Sequence, residues 1–205
     1  MKKFIATIPR QPENRLHDDI YLAADNKKLE NNIRTCFPIL LLINAFCELG
    51  DDIVVETIYA EDYGDCKLNY ARFASALDNI CKNKGITYKL NTVNIPVDES
   101  TNTHLESFSK LIERIENGDK LYADITYGTK PTPIVEMMAL SYGIQTKDDV
   151  SVECICYGEM DHNLMKLKIY DVTSLFYMDE IVNSLAKMKI HNPSEVIKSL
   201  INNEE

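Results

Sequence analysis

The sequence predicts an α/β fold, doubly wound around a mainly parallel sheet, and three observations carry the prediction. Short β-branched runs and longer stretches of helical apolar spacing alternate four times along the chain. Two parallel strands need a crossover, usually a helix, so this repetition specifies a parallel sheet covered on both faces. The 205 residues, 45% of them hydrophobic, suffice for one substantial core. A C-terminal β-hairpin and two short terminal helices complete the expected architecture.

Residues 3–8 form the expected first strand, and Pro9 and Pro12 keep residues 9–15 out of helix and ladder. From 29 to 49, Ile33, Phe37, Leu40, Leu41 and Ala45 recur at helical spacing. They predict one helix, kinked at Pro38, buried through its apolar middle and stopped at Gly50. Residues 52–58 are brief and β-branched, a second strand, and 67–82 carry Leu68, Phe73, Leu77 and Ile80 as a second helix closed by Gly85. Residues 87–95 alternate as a third strand, 98–102 supply caps, and a third helix runs over 103–116 to Gly118. A fourth strand over 121–126 leads through Tyr127-Gly128-Thr129-Lys130-Pro131-Thr132-Pro133 into a helix with Ile134, Met137, Met138 and Leu140. Residues 150–156 and 164–170 predict the hairpin, joined by a turn over 158–163, and helices near 178–187 and 193–202 follow. One core domain is therefore expected over 1–176 and a helical extension over 177–205, too small for an effector domain of its own.

With 32 acidic and 22 basic residues the net charge is −10, which opposes non-specific binding to duplex DNA. The terminal helices also lack a basic recognition face, against a transcription factor. Pro9 and Arg10 follow the opening residues too closely for a signal peptide or membrane helix, so a soluble, cytoplasmic protein without a membrane partner is expected. Six cysteines without a Cys-x-x-Cys pair read as reduced, buried thiols, Cys154 and Cys156 on one face of a strand. His17, His104, His162 and His191 are scattered without partners at ligand spacing, so no metal and no cofactor are expected.

In doubly wound sheets ligands bind beyond the carboxyl ends of the strands, where strand order reverses. That selects the loops after the first and fourth strands. The second of these reads as an anion seat. Gly128 permits a close backbone approach or a positive φ, the hydroxyls of Thr126 and Thr129 can donate to phosphate oxygens, free N–H groups at the helix start favour negative charge, and Lys130 adds a full positive charge. The plain alternative keeps Gly128 for a tight turn, Thr132 as a cap and Lys130 solvated. Asp124, just before the loop, reads as an inward carboxylate bonded to backbone N–H groups.

Asp124-Ile125-Thr126-Tyr127-Gly128-Thr129-Lys130-Pro131 resembles the signature of the CRISPR-associated Rossmann-fold (CARF) family, in the branch with Asp-Leu-Thr-Gly-Gly-Thr-Lys loops. Tyr127 stands where that family more often has Gly or His. The opening strand ending in Thr7-Ile8-Pro9 and the run Tyr170-Asp171-Val172-Thr173-Ser174-Leu175-Phe176 are similar to it as well, so the resemblance spans most of residues 1–176. It implies a Rossmann-like core and a homodimer cradling a cyclic tetra- or hexa-adenylate, a symmetric ring suiting a two-fold axis. Ile8, Pro9, Arg10, Arg15, Thr126, Tyr127, Gly128, Thr129, Lys130 and Thr132 would bind it. Arg10 and Arg15 would serve as bidentate phosphate donors, or else as exposed loop arginines. Of Tyr59, Tyr63, Tyr127 and Tyr157, Tyr127 is the expected stacking partner of an adenine. In relatives that cleave the ring, residues at the places of Lys130 and Thr7 are implicated: the ribose 2′-hydroxyl attacks the adjacent phosphate without metal, and Lys130 stabilises the charge.

Three functions follow: a sensor of a type III CRISPR antiviral system passing its signal to a separate effector protein, a metal-independent ring nuclease, or an α/β nucleotide-binding protein or oxidoreductase unrelated to CRISPR. The missing Gly-x-Gly-x-x-Gly fingerprint and Walker lysine motif disfavour the third.

Overall fold

The computed structural model of the chain describes residues 1–96, 98–161 and 166–202, in two compact units, Met1–Val172 and Thr173–Glu205. In chain order the first unit runs β1 (Lys2–Thr7), β2 (Asp19–Ala23), β3 (Arg34–Thr35), α1 (Ile39–Phe46), β4 (Asp52–Tyr59), α2 (Cys66–Lys84), β5 (Thr87–Asn94), α3 (Thr101–Ile112), β6 (Lys120–Asp124), α4 (Pro131–Thr146), β7 (Ser151–Asp161) and β8 (Lys166–Asp171). The second holds α5 (Thr173–Lys187) and α6 (Ser194–Asn202). Among the described residues no helix is long and apolar enough to cross a membrane.

The strands form one sheet in the order β3-β2-β8-β7-β6-β1-β4-β5. Central β1 is parallel to β4 on one side and β6 on the other, β5 and β7 extend the parallel array, and β7 and β8 make the expected antiparallel hairpin. Because side chains alternate across a strand, β1 feeds two layers. Phe4, Ala6 and Ile8 join the core with Ile39–Ile43 of α1 and Phe73 and Leu77 of α2. Thr7, from the other face, reaches Glu136 of α4, and Lys3 reaches the chain just beyond α3. Helices α1 and α2 pack together, as do α3 and α4, so the sheet is doubly wound. Residues 39–43 of α1 are fully buried, each side chain contributing about 1.5–3 kcal/mol. All six cysteines are buried and none is in a disulfide among the described residues, Cys154 and Cys156 both lying on the α1 and α2 side.

The structure corrects the expected helix over 29–49. Only Ile39–Phe46 is helical, and Pro38 precedes it with φ −58° instead of kinking it. A residue before proline is pushed towards extended backbone, and a proline at a helix start loses no hydrogen bond. Of the preceding apolar residues, Leu29 closes a 3₁₀ turn over Lys27–Leu29, and Ile33 and Phe37 lie in the loops on either side of β3. Strands β2 and β3 were absent from the sequence reading. β2 is short, it buries Tyr21 while Ile20 and Leu22 stay exposed, and it is recruited by β8 in the register Tyr21↔Leu167 to Ala23↔Ile169. One 3₁₀ turn, Glu13–Arg15, follows Pro12 in the first loop. β7 continues to Asp161, so residues 158–161 of the expected turn are strand. His162 and Leu164 lie outside the described residues.

Candidate functional site

The chain proceeds from β1 through β4 to β5 on one side, then crosses back to β6 and β7 on the other. The order reverses between β1 and β6, where the carboxyl ends leave a crevice. A groove of about 480 Å³ lies there, lined by Arg10, Gln11, Tyr63, Glu99, Gly128 and Thr129. Four loops contribute, those after β1, β4, β5 and β6.

Arg10 is held in place by its own backbone. Asn69, fully buried on α2, donates its Nδ2 to the carbonyls of Pro9 (2.8 Å) and Gln11 (2.9 Å), clamping the residues on either side. The carbonyl of Arg10 packs onto Gly64, where a Cβ would come within 2.6 Å of that oxygen. The guanidinium carbon lies 5.2 Å from the Tyr63 ring centroid, a cation–π arrangement, and Nη1 is 3.2 Å from Glu99 Oε1.

The loop after β6 is tied down from both ends. Asp124 accepts from the N–H groups of Ile39 (3.0 Å) and Thr126 (2.9 Å), the inward role its position suggested, and burial pushes its carboxyl up to about 6. Thr126 Oγ1 accepts from the Gly158 N–H at 2.7 Å. Tyr127 donates its hydroxyl to the Cys36 carbonyl (2.6 Å), and burial raises its phenol pKa, so this ring anchors the loop. The groove's aromatic is Tyr63. Gly128 adopts φ +108°, and a Cβ there would meet the Thr132 side chain at 2.7 Å, so only glycine fits.

Helix α4 does not supply the expected N–H cradle. Pro131 and Pro133 have no N–H, the Thr132 N–H donates to the Thr129 carbonyl (2.9 Å), and the Thr129 N–H donates to Thr132 Oγ1 (3.2 Å). Positive charge therefore comes from side chains. Lys130, exposed at the start of α4, makes no ion pair among the described residues.

Of the residues anticipated from sequence, Arg10, Gly128 and Thr129 meet in the groove, and Lys130 follows directly in sequence. Ile8, Pro9 and Thr132 are buried and do not line it, and Arg15 is exposed on its 3₁₀ turn elsewhere. Thr7 is buried too, and its hydroxyl donates to Glu136 Oε1 at 2.8 Å. The other oxygen of Glu136 has no hydrogen-bond partner among the described residues, and burial lifts that carboxyl well above the usual range.

Sequence reasoning missed Glu99, which accepts from the Thr129 hydroxyl (2.7 Å) and faces His104 Nε2 at 3.4 Å. Its signal was present in the capping segment. Asp98 Oδ1 accepts from the Ser100 N–H (2.8 Å) and the Thr103 hydroxyl (2.9 Å), and Ser100 Oγ accepts from the Thr103 N–H (3.3 Å). The hydrogen bonds from Ser100 and then Thr103 hold the Asp98 carboxyl below its ordinary range. Glu99 lies between two caps and is not itself one.

No family profile matches the chain. Over 104 residues, 50% of the chain, it is 25% identical to a CRISPR-associated protein of Methanocaldococcus jannaschii. The matched stretch is 16% of that protein, so the chain spans a small part of its relative's length.

Proposed function

We propose that this chain acts in a CRISPR-associated defence system as a CARF-type sensor, binding a cyclic tetra- or hexa-adenylate in the groove between β1 and β6. The observation that carries this reading is the convergence of a preset Arg10, the Tyr63 ring and the Gly128–Thr129 turn at the switch point. A guanidinium offers paired donors to a phosphate, a tyrosine ring offers a face to a base, and Lys130 adds a point charge. The likeness to a CRISPR-associated protein agrees with it.

A groove of 480 Å³ falls within the roughly 300–1,000 Å³ of small-molecule sites and takes only part of such a ring. A second copy around a two-fold axis would supply the rest. Ring cleavage is the second reading, favoured by Lys130, which is exposed and makes no ion pair among the described residues. The engagement of Thr7 with Glu136 argues against Thr7 as a partner in that step, so binding, with transfer of the signal to a separate effector protein, is the reading preferred.

Calorimetry with cyclic tetra- and hexa-adenylate, without added metal, tests this. Tight binding of one ring is expected, with Arg10→Ala and Lys130→Ala each weakening it about tenfold, or about 1.4 kcal/mol. Binding of neither ring would overturn the proposal. Chromatography of the same mixtures reports turnover, and cleavage lost only in Lys130→Ala would establish the nuclease.

A further inference from the structure

We infer that Glu99 is the specificity-determining residue of the groove: its carboxylate occupies the anion position between Arg10 and Thr129, and a ligand enters by bringing an anionic group that replaces it. The inference rests on the phosphate-binding reading above. Glu99 Oε1 faces the Arg10 guanidinium at 3.2 Å and Oε2 accepts from the Thr129 hydroxyl at 2.7 Å. One oxygen on a guanidinium and one on a hydroxyl is the arrangement that two phosphoryl oxygens would adopt there.

The contact joins two anchored segments. Arg10 is fixed by Asn69 and by the close approach at Gly64, and Glu99 by the hydrogen bonds of Asp98, Ser100 and Thr103 around it. These hydrogen bonds set the two backbones, so the pair forms between side chains that start from fixed points. Burial is also unequal, with the Arg10 side chain 12% exposed and that of Glu99 42%. The carboxylate can turn into solvent while the guanidinium stays. His104 Nε2 lies 3.4 Å from Glu99 Oε2 and makes no hydrogen bond among the described residues.

Selectivity follows from this exchange. A neutral nucleoside offers Arg10 nothing that Glu99 does not already offer, whereas a phosphate brings equal or greater charge and more acceptor oxygens. Glu99→Gln keeps the shape and an acceptor for Thr129 but leaves Arg10 without its counter-charge.

The test is calorimetry on the full chain and on the Glu99→Gln and Arg10→Ala/Glu99→Gln variants, with cyclic tetra-adenylate, inorganic pyrophosphate and adenosine as probes. Glu99→Gln is expected to bind pyrophosphate and the ring about tenfold more tightly, adenosine no better, and the double variant to lose the gain. Tighter pyrophosphate binding with no ring binding by any variant would leave this inference standing and remove the cyclic-oligoadenylate reading. Ring binding that is equal or weaker in Glu99→Gln would overturn the inference and leave that reading intact. Failure of every variant to bind any anion would overturn both. Unfolding temperatures within a few degrees of one another confirm that the variants fold.

Discussion

Glu136 carries a carboxyl that the fold holds away from water, with one oxygen on Thr7 and the other without a hydrogen bond among the described residues. Its burial raises the folded-state pKa above the model-compound 4.5, so the folded chain holds the proton to higher pH than the unfolded chain. The associated stability is fully present below about 4.5 and is lost as pH rises through the folded value. Buried Asp124 acts in the same direction up to about 6. Glu136→Gln cannot ionise and keeps an acceptor for Thr7. It should be more stable than the parent at pH 8 by about 1–3 kcal/mol, a gain that shrinks towards pH 5. Thermal unfolding of both proteins across that range measures it, and a difference independent of pH would refute the account. Legibility at this scale followed sequence neighbourhood. Arg10, Gly128 and Lys130 were visible because each lies within a few residues of a strand's end or opens a helix. Asn69, Glu99 and Glu136 were not, because each acts on a segment distant in sequence.

The amino end of the sheet depends on a pairing between elements. Lys3 of β1 meets Asp119, just before β6, at 2.6 Å, with side chains only 5% and 2% exposed. Lys3 also donates to the Arg114 carbonyl, and Asp119 accepts from the Glu116 N–H at 2.8 Å. Removing one member strands the other charge in the interior. Asp119→Ala should therefore cost about 3–5 kcal/mol in denaturant unfolding with an unchanged m-value, and a loss below about 1 kcal/mol would mean that Lys3 escapes to water. Elements with unbroken periodicity, β1, β4, β5, β6 and α2 to α4, were legible within a few residues. α1 was overextended because Ile33 and Phe37 mimic helical spacing across Pro38. β2 and β3 escaped because their pairing, not their apolar content, makes them strands.

At the scale of the whole molecule, the doubly wound order places every lining residue of the groove at one end of the sheet, as alternation of strands and helices predicted. Which surface a second copy covers was not legible, since helical spacing alone does not tell a core stripe from an interface. α4, which begins at the Gly128 loop, exposes Ile134 (62%), Met138 (52%) and Tyr142 (45%) at spacings of four. Such a stripe at the site suits the proposed dimer. Light scattering should give twice the chain mass for the parent and the single mass for Met138→Glu, and a monomeric parent would remove the dimer from the proposal. The central position of β1 also sets an order of assembly. Ala6 pairs with Asp124, and Tyr21 with Leu167. At roughly 5–20 residues per second, a growing chain carries Arg10 for about ten seconds before the Gly128 turn is made. An interrupted product therefore holds half of the groove, and the complete lining belongs to chains that have passed through synthesis to β6 and beyond.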